Sequence, residues 1–294
     1  MKISISTAVF QPNDLWMALN IVDEFNVMLE ISSAWDNPDF KAFIDNNSGL
    51  LAGVVRSFHE PYTVEHSSRR GSDAYVKTMD ECKRTLEYAQ KLNACYVVYH
   101  SSNCTLDSNT PYLMKKYAYE NLMEINEIAA EHSVSILVEN AGILSLNNAL
   151  YTMDEYISLF DIIENGCLLD IGHMNCNGWD MENVMQSLKG RIKAYHVHNN
   201  YGFYDNHNRI CDGTMYMPDF FDYYKAHTPD SDIILEYTAN SILSIEDLLE
   251  DICFISECLN AKAPRFTYQI READVLYNQQ FERSKLYGDA RVRM

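Results

Sequence analysis

Short apolar or alternating runs rich in Val, Ile, Leu and Tyr recur along the chain, each followed by a longer stretch with helical spacing. The runs are KISISTA, VMLEISS, AGVVRSFHE, CYVVYHS, SILVEN, CLLDIGH, IKAYHVHNN and DIILEYT. Between the fourth and fifth lies PYLMKKYAYENLMEINEIAAEHS, where Pro111 suits a first helical turn and Leu113, Tyr117, Leu122, Ile125 and Ile128 recur near the helical period. SDAYVKTMDECKRTLEYAQKLN and SIEDLLEDICFISECLN have the same character. Strands alternating with helices predict a parallel sheet with right-handed crossovers. Eight such units within residues 1–262 match an α/β chain folded as a (β/α)8 TIM barrel, for which about 250 residues is typical. The alternative is an open doubly wound sheet, but no GxGxxG follows the first run and no P-loop occurs. No Pro-, Gly- or Ser-rich linker divides the chain, so a single barrel domain is expected over 1–262. Residues 263–294 form a C-terminal extension with basic residues at 265, 271, 283, 285, 291 and 293, read as a packed arm, an oligomer interface or a tail.

In such a barrel the C-terminal strand ends surround the active site, so ionisable residues there are informative. The third run ends in His59, the fourth in His100, the fifth in Glu139, the sixth in Asp170 with His173 beyond, the seventh in His196 and the eighth in Glu236. The loop after the seventh adds Asp205 and His207. The separations from His59 through Glu236, 41, 39, 31, 26 and 40 residues, are each about one βα unit, so each unit delivers a group to one mouth. Singly, a histidine such as His100 fits a hydrogen-bonded core or surface role, and Asp170 with His173 fits a local turn. Glu139 and Glu236 end apolar strands, where an unpaired buried carboxylate is costly. Together, five histidines and four carboxylates converging on one end call for cations. His66, His132 and His227 read as surface residues, and His198 as lying across the strand from His196 or behind the ligands. Arg69 and Arg70 of SSRRGS fit solvated charges; they are also the paired arginines nearest the expected mouth, and guanidinium forks suit phosphate.

Composition narrows the partners. Forty-two acidic against 23 basic residues give a formal charge of −19, which repels a nucleic-acid backbone and suits a small ligand or a metal. Eight cysteines include no CxxC pair, and several sit in apolar runs where a reduced thiol acts as a small hydrophobe. The N-terminal MKISISTAVFQPND is unlike a signal peptide, and no run of about 18 apolar residues offers a membrane span. A cytoplasmic protein with no membrane contact is expected.

HVHNNYGFYDNHNRICDG, together with VENAG, DIGHMN and ILEYT, resembles the motifs of the xylose isomerase-like TIM barrels, in which a strand-seven histidine precedes an Asp-x-His and a Gly-containing turn. The resemblance covers about residues 1–260. Within that superfamily the pattern is closest to the endonuclease IV type, whose trinuclear zinc site implies His59, His100, Glu139, Asp170, His173, His196, Asp205, His207 and Glu236 as ligands here. Sugar isomerases and epimerases of the superfamily hold one ion, commonly manganese, through positions matching Glu139, Asp170, His196 and Glu236. Asn199 stands where many relatives have Asp, and Cys211 where Gly is common. These departures and the acidic balance disfavour DNA as a substrate and leave the ligand set intact.

Two reactions follow as expectations. The first is phosphoester hydrolysis on a small sugar-like molecule at a multinuclear site, with Glu139 between ions and Arg69 or Arg70 on the non-reacting part. The second is isomerisation or epimerisation of a sugar or sugar phosphate at a single ion, with Glu139 and Glu236 moving the proton and His173 on the substrate. The complete nine-residue set tilts the choice towards hydrolysis. A non-catalytic binding barrel ranks last. The imidazole-rich set favours zinc, up to three ions, with manganese or iron as alternatives.

Overall fold

The computed structural model describes residues 1–11, 14–242 and 244–259; the extension expected over 263–294 lies outside the described residues. Eight strands, β1 (Ile3–Ser6), β2 (Met28–Ser32), β3 (Val55–His59), β4 (Tyr96–His100), β5 (Ser135–Glu139), β6 (Gly166–Asp170), β7 (Ile192–Val197) and β8 (Asp232–Leu235), pair in parallel in chain order. β1 also pairs with β8, with Ile3 opposite Ile233 and Ile5 opposite Leu235, which closes the ring. The chain is therefore the expected (β/α)8 TIM barrel and not the open sheet.

Between strands run α1 (Trp16–Phe25), α2 (Pro38–Asn46), α3 (Ser48–Leu51), α4 (Asp73–Lys91), α5 (Pro111–His132), α6 (Met153–Leu159), α7 (Ile171–Asn177), α8 (Met181–Leu188) and α9 (Met217–His227). Their starts are chemically marked. Ser72 accepts from the Tyr75 N–H to cap α4, Pro111 opens α5, and Thr152 with Glu155 forms a capping box on α6. α5 ends where Ser133 turns left-handed at φ 57°. The buried stripe of α5 is Ala118, Asn121, Leu122, Ile125 and Ala129, whereas Leu113 is exposed; the apolar pattern anticipated the helix but tilted its inner face. Residues 1–242 make one compact unit, and α10 (Ile245–Cys258) belongs to a second, opened by its own capping box of Ser244 and Asp247. Among the described residues no helix is long and apolar enough to cross a membrane.

The inward face of the strands sets up the mouth. Tyr96, Val98, Leu137, Leu168, Ala194 and Ile234 form a buried cluster from β4 to β8. Side chains alternate along a strand, so a residue two positions on points the same way. Two residues after Val98, Leu137, Leu168, Ala194 and Ile234 come His100, Glu139, Asp170, His196 and Glu236. One inward register thus runs from apolar core to polar mouth.

Candidate metal centre at the barrel mouth

All nine donor residues expected from the strand ends meet at this mouth. His59 Nε2 lies 3.0 Å from His100 Nε2, which lies 2.8 Å from Glu139 Oε2. The other Glu139 oxygen is 3.2 Å from His173 Nδ1, and His173 Nε2 is 3.0 Å from Asp205 Oδ2. The same Asp205 oxygen is 2.9 Å from His207 Nε2, and His207 Nδ1 is 3.4 Å from Glu236 Oε2. His196 Nδ1 sits between carboxylates, 3.2 Å from Glu236 Oε2, 3.4 Å from Glu139 Oε2 and 3.9 Å from Asp170 Oδ2. Triads with donor atoms close enough to share an ion include His59–His100–Glu139, His59–His196–Glu236, His173–Asp205–His207 and His198–His207–Glu236, the last bringing in His198 beside the nine. Seven of the nine are buried, with Asp205 and His207 half-buried at the rim.

The charges of this cluster hold one another. Burial alone would raise the Glu139 carboxyl, but the His100 and His196 rings hold it well below the usual carboxylate range. Asp170 is treated likewise by His173 and His198 and lies at about 2. Burial opposes charge on His207, yet Asp205 and Glu236 raise it to about 10, and Asp170 and Asp205 raise His173 well above the usual imidazole value. His173, His196 and His207, each held towards its protonated form by neighbouring carboxylates, balance the buried negative charge.

Several buried atoms at the mouth still lack a hydrogen bond of normal geometry: Glu139 Oε1, His173 Nδ1, His196 Nδ1 and Asp205 Oδ1. Orphaned polar atoms are rare in cores and each costs about 1–3 kcal/mol. Here they are ligand-type atoms facing one inner space, which fits divalent ions of the zinc or manganese class.

Other side chains hold the donors. Glu30, fully buried on β2, lies 2.9 Å from His196 Nε2 and accepts from Ser57 Oγ, so it orients the ring from the side away from Glu236. Asn103 Oδ1 lies 2.6 Å from His100 Nδ1, and Asn140 Oδ1 accepts from the Asp170 N–H. Asp170 caps α7 by accepting from the His173 N–H, so the local turn expected for this pair and its place in the cluster coexist. His198 does not lie across the strand from His196: two residues on, it keeps the inward parity and sits 3.0 Å from Asp170 Oδ2, stacked 3.9 Å from the His207 ring. Asn199 is buried and ties its loop by donating to the Ile210 and Met215 carbonyls. Tyr62, at the rim, donates to Glu236 Oε1 at 2.9 Å.

One further sequence expectation, that for His66, differs from the structure, while Arg69 and Arg70 keep the solvated character expected of them. His66 is no surface residue: it is fully buried, with Nε2 2.8 Å from Glu60 Oε2. Arg69 and Arg70 are exposed and absent from the lining of the mouth; Arg70 pairs instead with Glu124 of α5, beside Tyr75. Glu30 and Tyr62 were not anticipated. The mid-strand carboxylate of VMLEISS was the available signal for Glu30, since an acid inside an apolar run needs a buried partner.

The family model for xylose isomerase-like TIM barrels matches residues 29–258. The chain belongs to this family. Among curated proteins, this xylose isomerase-like barrel is 26% identical over 232 residues to the uncharacterised protein MJ1614 of Methanocaldococcus jannaschii, covering 75% of the chain and 86% of that protein. Among solved structures it resembles a D-tagatose 3-epimerase-like protein, with a TM-score of 0.72, 21% identity, and 88% of this chain and 97% of that one covered. It also resembles the IOLI protein with a bound zinc atom, with a TM-score of 0.69, 16% identity, and 88% and 98% covered. At these identities the structural likenesses bear on the fold alone.

Proposed function

We propose that this xylose isomerase-like barrel is a divalent-metal-dependent enzyme for small sugar-like or sugar-phosphate substrates, and that it hydrolyses a phosphoester at a multinuclear site. The observation behind hydrolysis is that His59, His100, Asp205 and His207 join the cluster of Glu139, Asp170, His196 and Glu236. A single-ion site has no need of the first four. Zinc suits five imidazoles and four carboxylates, and manganese or iron would fit the same donors.

When bound, the ions supply Lewis acidity towards phosphate oxygens and the attacking water. Glu139 turns one oxygen to His100 and the other to His173, so it would help to hold ions on both sides. The His100 and His196 rings keep it ionised, the state in which it would hold ions. Asp205 joins His173 to His207 on the outer side, and Tyr62 holds Glu236 by its hydroxyl. The space among these residues is about 110 Å³, against at least about 300 Å³ for common ligand cavities, so it admits the reacting group while the rest of the substrate meets the rim at Tyr62, Leu146 and Asn148.

A second reading, epimerisation or isomerisation at one ion, has its own support: Glu139 and Glu236 both face His196 Nδ1, and one of the solved structures sharing this fold is D-tagatose 3-epimerase-like. Elemental analysis of protein purified without chelator separates the two. Hydrolysis at a multinuclear site requires about two or three ions per chain, fewer in His59→Ala, with phosphoester turnover down at least about 100-fold. One ion per chain, retained in His59→Ala with ketose turnover intact, would overturn it in favour of epimerisation.

A further inference from the structure

A second group of metal-type donors lies behind β3, facing α4. Glu60 follows His59, so alternation sends it away from the mouth. There its two oxygens diverge onto two partners: Oε2 lies 2.8 Å from His66 Nε2, and Oε1 accepts from the Cys82 thiol at 3.0 Å. Cys82 Sγ and His66 Nε2 are 3.6 Å apart. Glu60, His66 and Cys82 are 2%, 0% and 1% exposed.

A Glu–His–Cys trio invites a nucleophilic reading, but no substrate reaches a thiol this deeply enclosed, and burial followed by the Glu60 charge pushes that thiol well above its usual range. Ion geometry fits better. Bonds of about 2.3 Å to sulfur and 2.0–2.2 Å to nitrogen and oxygen put neighbouring corners of a tetrahedron about 3.3–3.6 Å apart. The sulfur-to-nitrogen separation is already at that spacing, and each carboxylate contact needs to open by about half an ångström. One sulfur, one imidazole nitrogen and one carboxylate oxygen supply three donors of the mixed softness that zinc accepts, and the second Glu60 oxygen, too close to the first to take a corner of its own, can add only a narrow chelate.

We propose that Glu60, His66 and Cys82 bind one zinc-class divalent cation at a structural site separate from the mouth. The cation would tie the segment after β3, which carries Tyr62 to the mouth, to the middle of α4. Asn121 of α5 already holds this segment by donating to the His66 and Ser68 carbonyls, so the site completes an existing anchor.

Cobalt(II) titration of metal-stripped protein tests the proposal, because the nine donors at the mouth include no sulfur. A near-ultraviolet thiolate-to-cobalt band with the intensity of one thiolate ligand per chain is expected once both the mouth and this site are filled. It should vanish in Cys82→Ser and in His66→Ala, and persist in His207→Ala, whose lesion lies at the mouth. No such band in the wild-type protein would overturn the site whatever the variants do. A band that survives Cys82→Ser and disappears in Cys176→Ser would overturn it too, since Cys176 lies near His173 and Asp205. The band reports on Cys82 whether or not the mouth hydrolyses phosphoesters, so the two proposals can fail independently.

Discussion

Glu30 shows how one side chain conditions a whole site. Fully buried, it meets His196 Nε2 and so leaves Nδ1 to face the carboxylates at the mouth. Glu30→Gln keeps the shape but removes the charge that polarises the ring, and supporting residues of this kind are worth about 10–100-fold in metal affinity. Competition against a chelator of known affinity should show a loss of that order with the fold unchanged by circular dichroism; unchanged affinity would deny Glu30 this role. Six of the mouth residues, His59, His100, Glu139, Asp170, His196 and Glu236, were legible because each lies at or just beyond the end of an apolar strand, where period-two alternation leaves little choice of direction. His173, Asp205 and His207 were read instead from the motifs that follow those strands. Glu30 was obscured by its position inside the strand rather than at its end. His66 was misjudged because it lies in a polar stretch, EHSSRRGS, and nothing local reveals that the segment folds inward onto Cys82 and Tyr99.

At the scale of elements, α7 is only seven residues long, yet it positions both Asp170 and His173. Its second residue, Gly172, lies against the His198 ring: a Cβ there would stand 2.0 Å from His198 Cε1. Gly172→Ala must displace the ring and with it the contact to Asp170, at a cost of about 1–3 kcal/mol. A lower denaturation midpoint with an unchanged m-value is expected; a midpoint equal to that of the parent would mean that the ring relocates without penalty. Gly213 plays the corresponding part in the loop after β7, where a Cβ would meet Asn199 Oδ1 at 2.2 Å. Strand and helix order was readable from periodicity. The approach of Gly172 to the His198 ring was not, because it joins residues from different βα units and leaves no mark on the spacing within either one.

For the molecule as a whole, the mouth makes stability depend on pH in opposite senses with and without ions. His207, raised from 6.5 to about 10, stabilises the stripped protein fully below pH 6.5 and loses that contribution as pH climbs through about 10. Asp170, lowered from 3.8 to about 2, contributes above pH 3.8 and is lost as pH falls through about 2. His173 and His196 shift in the same direction as His207, and Glu139 and Asp205 in the same direction as Asp170. Stripped protein should therefore melt highest between about pH 4 and 6.5 and progressively lower towards pH 9. Ions compete with these protons, so the increment in Tm on adding zinc should grow over the same interval. A stripped protein whose Tm rises steadily from pH 6 to 9 would contradict this balance. The eightfold repeat made the barrel legible from end to end, whereas the extent of mutual charge compensation emerged only with the distances.

Ring closure also sets an order of events during synthesis. Of the eight described barrel strands, β1 leaves the ribosome before the others and β8 after them, and Ile3 pairs with Ile233. At about 5–20 residues per second, the N-terminal strand waits roughly 10–50 s for that neighbour. Throughout that interval its free edge is a template for mispairing with other nascent chains, which makes this barrel a natural client for any factor that shields an unfinished sheet.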